Sequence, residues 1–163
     1  MKKYLSLLLL APLLLGCNKG QVLENQYKAE TIHEHDRCHL CGMVITQHPG
    51  PKGQVHLKAE KMVPKFCSSR DMFNFALQPE NKRQIAYMMV HDIASTNWEQ
   101  PDDGAFIDAA SAFYVYGTSK KAVMGSAVAP FSTKAAAEAF AKDNGGRLLT
   151  FEDITLELLA GDK

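Results

Sequence analysis

Two cysteines and a methionine stand close together in DRCHLCGMVIT, residues 36–46: Cys38, Cys41 and Met43. Four kinds of chemistry use a C-x-x-C pair. Structural zinc needs four ligands, usually from two such knuckles; the chain has no second C-x-x-C, so His33, His35 or His39 would have to complete the set. A dithiol redox pair belongs at a helix N-terminus, where the dipole favours the thiolate, but residues 42–45 read as extended. A Cys38–Cys41 disulfide is the plain structural alternative. The fourth reading is a soft-metal site, because thiolate and thioether sulfur together suit Cu(I) better than zinc. On a strand, residues 41 and 43 project from one face, so both sulfurs would reach one ion.

Other sulfurs are candidates for the same ion. Met124, ahead of Gly125, is placed to supply a third sulfur, although taken alone it reads as an ordinary core or surface methionine. Met88 and Met89 are adjacent on a strand, face opposite ways, and read as packing; Met62 and Met72 read as core. Cys67 lies just before a helix start, which either favours its thiolate or buries it as a small apolar residue.

The N-terminus bears on how many thiols are available. Lys2 and Lys3 precede an apolar run from Leu5 to Leu15, read as a signal segment over residues 1–16 and too short to span a bilayer comfortably. Its end, LLGC, resembles the bacterial lipobox, which would lipidate Cys17 and tether the remaining chain in an oxidising compartment. Of four cysteines, that leaves Cys38, Cys41 and Cys67, an odd number of thiols for an exported protein. Composition adds an exclusion. Eighteen basic and eighteen acidic residues are interspersed, so no basic stripe awaits nucleic acid.

The elements that must position these residues form a repeating order. Residues 17–36 read as a flexible tether and 37–163 as one domain. CGMVIT and GQVHLKAE read as strands, a helix follows the Ser68 cap, and QIAYMMV is a third strand. The second half repeats this with AFYVYGTS, AVMGSAV, a helix opening at Ser132 with Ala135, Ala136, Ala139 and Phe140 on one side, and RLLTFED. The fold class is therefore α+β, as two tandem homologous ββαβ modules over 37–94 and 105–160. Trp98, in the connector, reads as the packing anchor between them.

CHLCGM after a lipobox, IDAASAFYVYG, and MGSAVAPF leading into an alanine-rich helix together resemble the NosL family, over nearly the whole chain. The resemblance implies a fold akin to organomercurial lyase and a lipid-anchored, periplasm-facing copper chaperone rather than an enzyme. Its cargo would be Cu(I), held by Cys41, Met43 and Met124 with Cys38 as a supporting or alternative ligand; Cys67 falls outside the family motif. Its client would be nitrous oxide reductase, whose copper centres it supplies, and its partner the ABC transporter complex of that maturation system. Asn18, in place of an aspartate after Cys17, points to the outer membrane over the inner. Two alternatives remain open. One is an organomercurial-lyase-like enzyme using Cys38, Cys41 and Cys67 with Asp36 as proton donor, against which stand the lipobox and the thioethers. The other is a zinc-stabilised interaction module.

Overall fold

A computed structural model describes residues 26–161 of the chain. The expected signal segment, Cys17 and the first part of the tether lie outside the described residues. The elements run β1 (Gly53–Leu57), β2 (Lys65–Phe66), α1 (Ser69–Ala76), α2 (Pro79–Lys82), β3 (Ile85–His91), β4 (Phe106–Asp108), β5 (Phe113–Tyr116), β6 (Val128–Phe131), α3 (Lys134–Asn144), β7 (Arg147–Leu149) and α4 (Leu156–Ala160). Among the described residues, no helix is long and apolar enough to cross a membrane.

Two antiparallel sheets result, ordered β2-β1-β3-β4 and β6-β5-β7. Each contains the same ββαβ path, with the first strand central, the second on one side and the strand after the helix on the other. The fold is thus α+β, as read from the sequence.

Both principal helices start in the same way. Ser68, in extended conformation, accepts from the Asp71 N–H, and Thr133 accepts from the Ala136 N–H, so each caps an otherwise unpaired helix donor. The helices differ in what covers them. α1 lies between its own strands and β6 and α4 of the second unit, so residues 69–73 are all buried. Its Ser69 hydroxyl donates to the Val128 carbonyl, and its Arg70 guanidinium donates to Ser126 O at 3.0 Å and to Leu159 O. One apolar core follows, in which Phe66, Met72, Phe73 and Val90 meet Tyr114, Val128 and Leu159. Each such buried side chain contributes about 1.5–3 kcal/mol by leaving water.

The strand boundaries differ from the sequence reading in two places. Residues 39–41 are a turn, Val44 makes only an isolated bridge and a 3₁₀ turn follows at Ile45–Gln47, so CGMVIT is no strand and β1 opens at Gly53. Likewise residues 121–127 form a loop, and the strand after β5 is Val128–Phe131. In α3 the covered side chains are Ala136, Ala137, Phe140 and Ala141, whereas Ala135 and Ala139 are exposed. Met62 is exposed, while Met72 is fully buried.

The tether is shorter than expected. Tyr27 stacks on Tyr87 at 5.4 Å, Glu30 and Gln54 exchange hydrogen bonds of 2.8 and 2.6 Å, and the Ile32 N–H donates to Asp103 at 2.8 Å. The stretch from Tyr27 to Asp36 is therefore docked on the first sheet. Trp98 joins the halves as anticipated: its carbonyl accepts from Gly50 N, its indole N–H donates to Lys121 O, and its ring stacks on Phe140.

Candidate metal centre

The C-x-x-C segment is a closed loop. Arg37 and Val44 form an isolated antiparallel bridge, the Cys38 N–H donates to Met43 O at 2.8 Å, and the Gly42 N–H donates to Cys38 O at 2.9 Å. Gly42 sits at φ +76°, a conformation that L side chains adopt rarely, which explains glycine directly after the second cysteine. The fold of this loop aims the Cys41 and Leu40 N–H groups at the Cys38 sulfur and the Met43 N–H at the Cys41 sulfur. Such a knuckle stabilises negative charge on sulfur. Cys41 and Met43 therefore share a loop, and the common strand face expected for them does not exist.

A second segment meets the loop from the β2–α1 junction. Cys67 ends the connection into the helix and Asp71 lies in its first turn, four residues on and on the same side. The ligand atoms of Cys38, Cys41, Cys67 and Asp71 all lie within 4.8 Å of one another. Cys41 Sγ is 3.5 Å from Cys67 Sγ, and the Asp71 carboxylate accepts from Cys67 at 3.2 Å and from Cys38 at 3.5 Å. All three thiols are free. Cys38, Cys67 and Asp71 are buried, and Cys41, half-buried, is the member nearest solvent.

Charge is unevenly shared in this cluster. The Cys67 thiol and the backbone N–H groups around it draw the Cys38 pKa well below the ordinary thiol range. Cys67 is pushed up by the adjoining Cys38 sulfur, by burial and by Asp71; burial raises Cys41 and Asp71. In the metal-free cluster negative charge is thus favoured on the Cys38 sulfur and disfavoured on Cys41 and Cys67. Nearby, the buried Lys52 ammonium donates to His48 O at 2.6 Å, Cys67 O at 3.1 Å and Pro49 O at 3.3 Å. Burial lowers its pKa to about 8, against the opposing effect of the Cys67 and Cys38 sulfurs.

Among the predicted ligands, Cys38 and Cys41 are brought together in this cluster. Met43 is half-buried in the same loop and packs against the core. Met124 is 59% exposed, at φ +62°. The next residue, Gly125, is pressed on Arg70: a Cβ there would stand 3.0 Å from the guanidinium carbon. Since Arg70 also holds Ser126, the Met124 loop is fastened to the helix that carries Asp71.

Sequence reasoning missed Cys67 and Asp71 as a pair. Their spacing of four across the helix start was the available signal. Asp36, the proton donor in the enzyme alternative, is elsewhere, accepting from Lys65 at 2.8 Å and from His33 N at 3.0 Å. No histidine joins the cluster among the described residues: His39 packs edge-on against Phe66 and Phe75, and His35 pairs with Glu34.

Comparison with known proteins places this geometry. The NosL family model matches residues 29–159. The chain belongs to the NosL family. It is 46% identical over 151 residues to the copper-binding lipoprotein NosL of Stutzerimonas stutzeri, covering 93% of this chain and 78% of that protein. Identity to the copper-binding lipoprotein NosL of Achromobacter cycloclastes is 39% over 120 residues, covering 72% of this chain and 62% of that one. The crystal structure of the copper chaperone NosL from Shewanella denitrificans superposes with a TM-score of 0.77 at 43% identity, over 79% of this chain and 96% of that one. These NosL relatives are named as copper binders or a copper chaperone, and none is named as an enzyme.

Proposed function

We propose that this protein is a copper carrier that holds Cu(I) where the knuckle meets the start of α1 and passes it to a client. The carrying observation is the convergence of three thiols and one carboxylate within 4.8 Å. Cargo and site agree chemically: sulfur is the preferred donor for a soft monovalent ion, and Cu(I) accepts two or three ligands. Cys41, the most accessible thiol, is the ligand through which copper enters and leaves. Met43, in the same loop, and Met124, on the loop fastened by Arg70, add thioethers at the rim, and Cys38 supports from below. Cys67 and Asp71 complete the inner side.

The Cys41 and Cys67 thiols hold their protons when metal is absent, so binding releases protons and affinity rises with pH. An incoming client sulfur displaces the rim thioethers first, which gives a path for exchange. The family resemblance is the ground for a lipid anchor at Cys17, a periplasm-facing position, nitrous oxide reductase as client and its ABC transporter complex as partner, and Asn18 after Cys17 is the ground for the outer membrane over the inner.

An anaerobic titration of the reduced protein with Cu(I) against a competing chelator, repeated with Zn(II), tests the reading. One tightly held Cu(I) per chain, with zinc displaced by it, is the expected result. Tight zinc with indifferent copper would instead favour a zinc-stabilised module, for which three sulfurs and a carboxylate form an adequate tetrahedral set.

A further inference from the structure

We infer that Cys41 and Cys67 are a disulfide-forming pair, a covalent modification site on the metal-binding face. Their sulfurs stand 3.5 Å apart and neither is in a disulfide. Closing to the roughly 2 Å of a disulfide needs a movement of about 1.5 Å. Cys41 can supply it, because it lies in a half-exposed loop that turns at Gly42, whereas Cys67 is fixed between β2 and the Ser68 cap. Cys38 is the alternative partner, and its surroundings differ. Cys38 is buried, its sulfur faces Asp71 at 3.5 Å, and the Leu40 and Cys41 N–H groups back it.

Accessibility sets the order of events. Cys41, the thiol nearest solvent, attacks an external disulfide as it gives up its proton, forming a mixed disulfide and releasing one thiolate. The buried Cys67 sulfur then attacks the Cys41 sulfur, forming the Cys41–Cys67 bond and expelling the second thiolate. Two cysteine thiols are oxidised, one external disulfide is reduced to two thiols, and the two cysteine protons pass to those leaving groups. An external dithiol reverses both steps.

The consequence for copper rests on the proposed function. The bond removes two of the four converging donors and leaves Cys38 and Asp71 with the rim thioethers, so the oxidised protein holds Cu(I) only weakly. Bound Cu(I) conversely occupies both sulfurs and protects them. A carrier that has delivered its copper is thereby open to oxidation until a dithiol reopens it.

The test treats reduced, metal-free protein with oxidised glutathione, then reads intact mass, peptide linkage and Cu(I) binding. The expected product is lighter by two hydrogens, carries a Cys41–Cys67 linked peptide and no retained glutathione. It binds Cu(I) at least about 100-fold more weakly than the reduced form, the scale on which even outer partners tune metal sites. Cys67→Ser should stop with glutathione on Cys41, while Cys38→Ser should still form the bond. A bridge through Cys38, or glutathione retained on the wild-type protein, overturns the inference. Bridge formation in a protein whose reduced form ignores copper would retain the disulfide and refute the carrier; copper binding without a bridge would do the reverse.

Discussion

The β2–α1 and β6–α3 junctions are built alike and carry different chemistry. Phe66, Cys67, Ser68 and Asp71 at the first stand where Phe131, Ser132, Thr133 and Ala136 stand at the second. Both place a buried phenylalanine ahead of a hydroxyl cap that accepts from the N–H three residues on. Yet Cys67 is fully buried beside two further thiols, whereas Ser132 is exposed. The difference extends beyond the junction. Among the described residues, the buried polar and charged side chains Lys52, Gln54, Ser68, Ser69, Arg70, Asp71, His91 and Asp92 all belong to the first unit. The second unit covers α1 and so supplies the apolar wall behind which these groups are held. One ββαβ path therefore serves as reactive insert and the other as its lid.

Breaking the first junction should have the largest effect. Cys41→Ser should weaken Cu(I) binding by at least about 100-fold, while Ser132→Cys at the matching place should create no second copper site, because no knuckle faces it. Chelator competition on both variants reads this directly.

Acid should separate the two units next. His91 is fully buried, accepts from the Lys52 N–H at 3.1 Å and lies 3.9 Å from Asp103, and burial lowers its pKa from 6.5 to about 3. Below pH 6.5 the unfolded chain takes up a proton that the folded chain resists until about pH 3. Stability is therefore full above that window and is lost as pH falls through it. His91→Gln should remove much of this loss, seen as a smaller difference between denaturation midpoints at neutral and acid pH.

Arg70→Met should cost about 3 kcal/mol, because buried carbonyls of the second unit lose their donors. Ala135→Met, at the exposed equivalent on α3, should stay within about 0.5 kcal/mol. The caps give the smallest contrast: Ser68→Ala and Thr133→Ala should each cost about 1 kcal/mol, and urea denaturation should show the buried Ser68 to be slightly the more sensitive.

Those contrasts also show what the sequence made legible. Cys38 and Cys41 were legible as part of one sulfur cluster because they are neighbours in the chain. Cys67 arrives from 26 residues beyond Cys41, and its place depends on antiparallel pairing of β1 with β2, which spacing along the chain does not encode. The Ser68 cap was readable as local hydrogen-bond chemistry, whereas the second helix follows a Thr133 cap, one residue beyond the expected opening at Ser132. CGMVIT and AVMGSAV misled because their apolar residues suit strands, while Gly42, Met124 and Gly125 take positive φ and turn the chain. The outer face of α3 was misjudged because alanines on both faces leave its apolar stripe poorly defined.

The central claim is that copper is held by sulfur where the knuckle meets α1. Copper X-ray absorption on the reduced, Cu(I)-loaded protein tests it most directly, with Cys41→Ser and Met124→Ala measured alongside. The account predicts a sulfur-dominated shell that loses sulfur in each variant. A nitrogen or oxygen shell, unchanged by both substitutions, would contradict it.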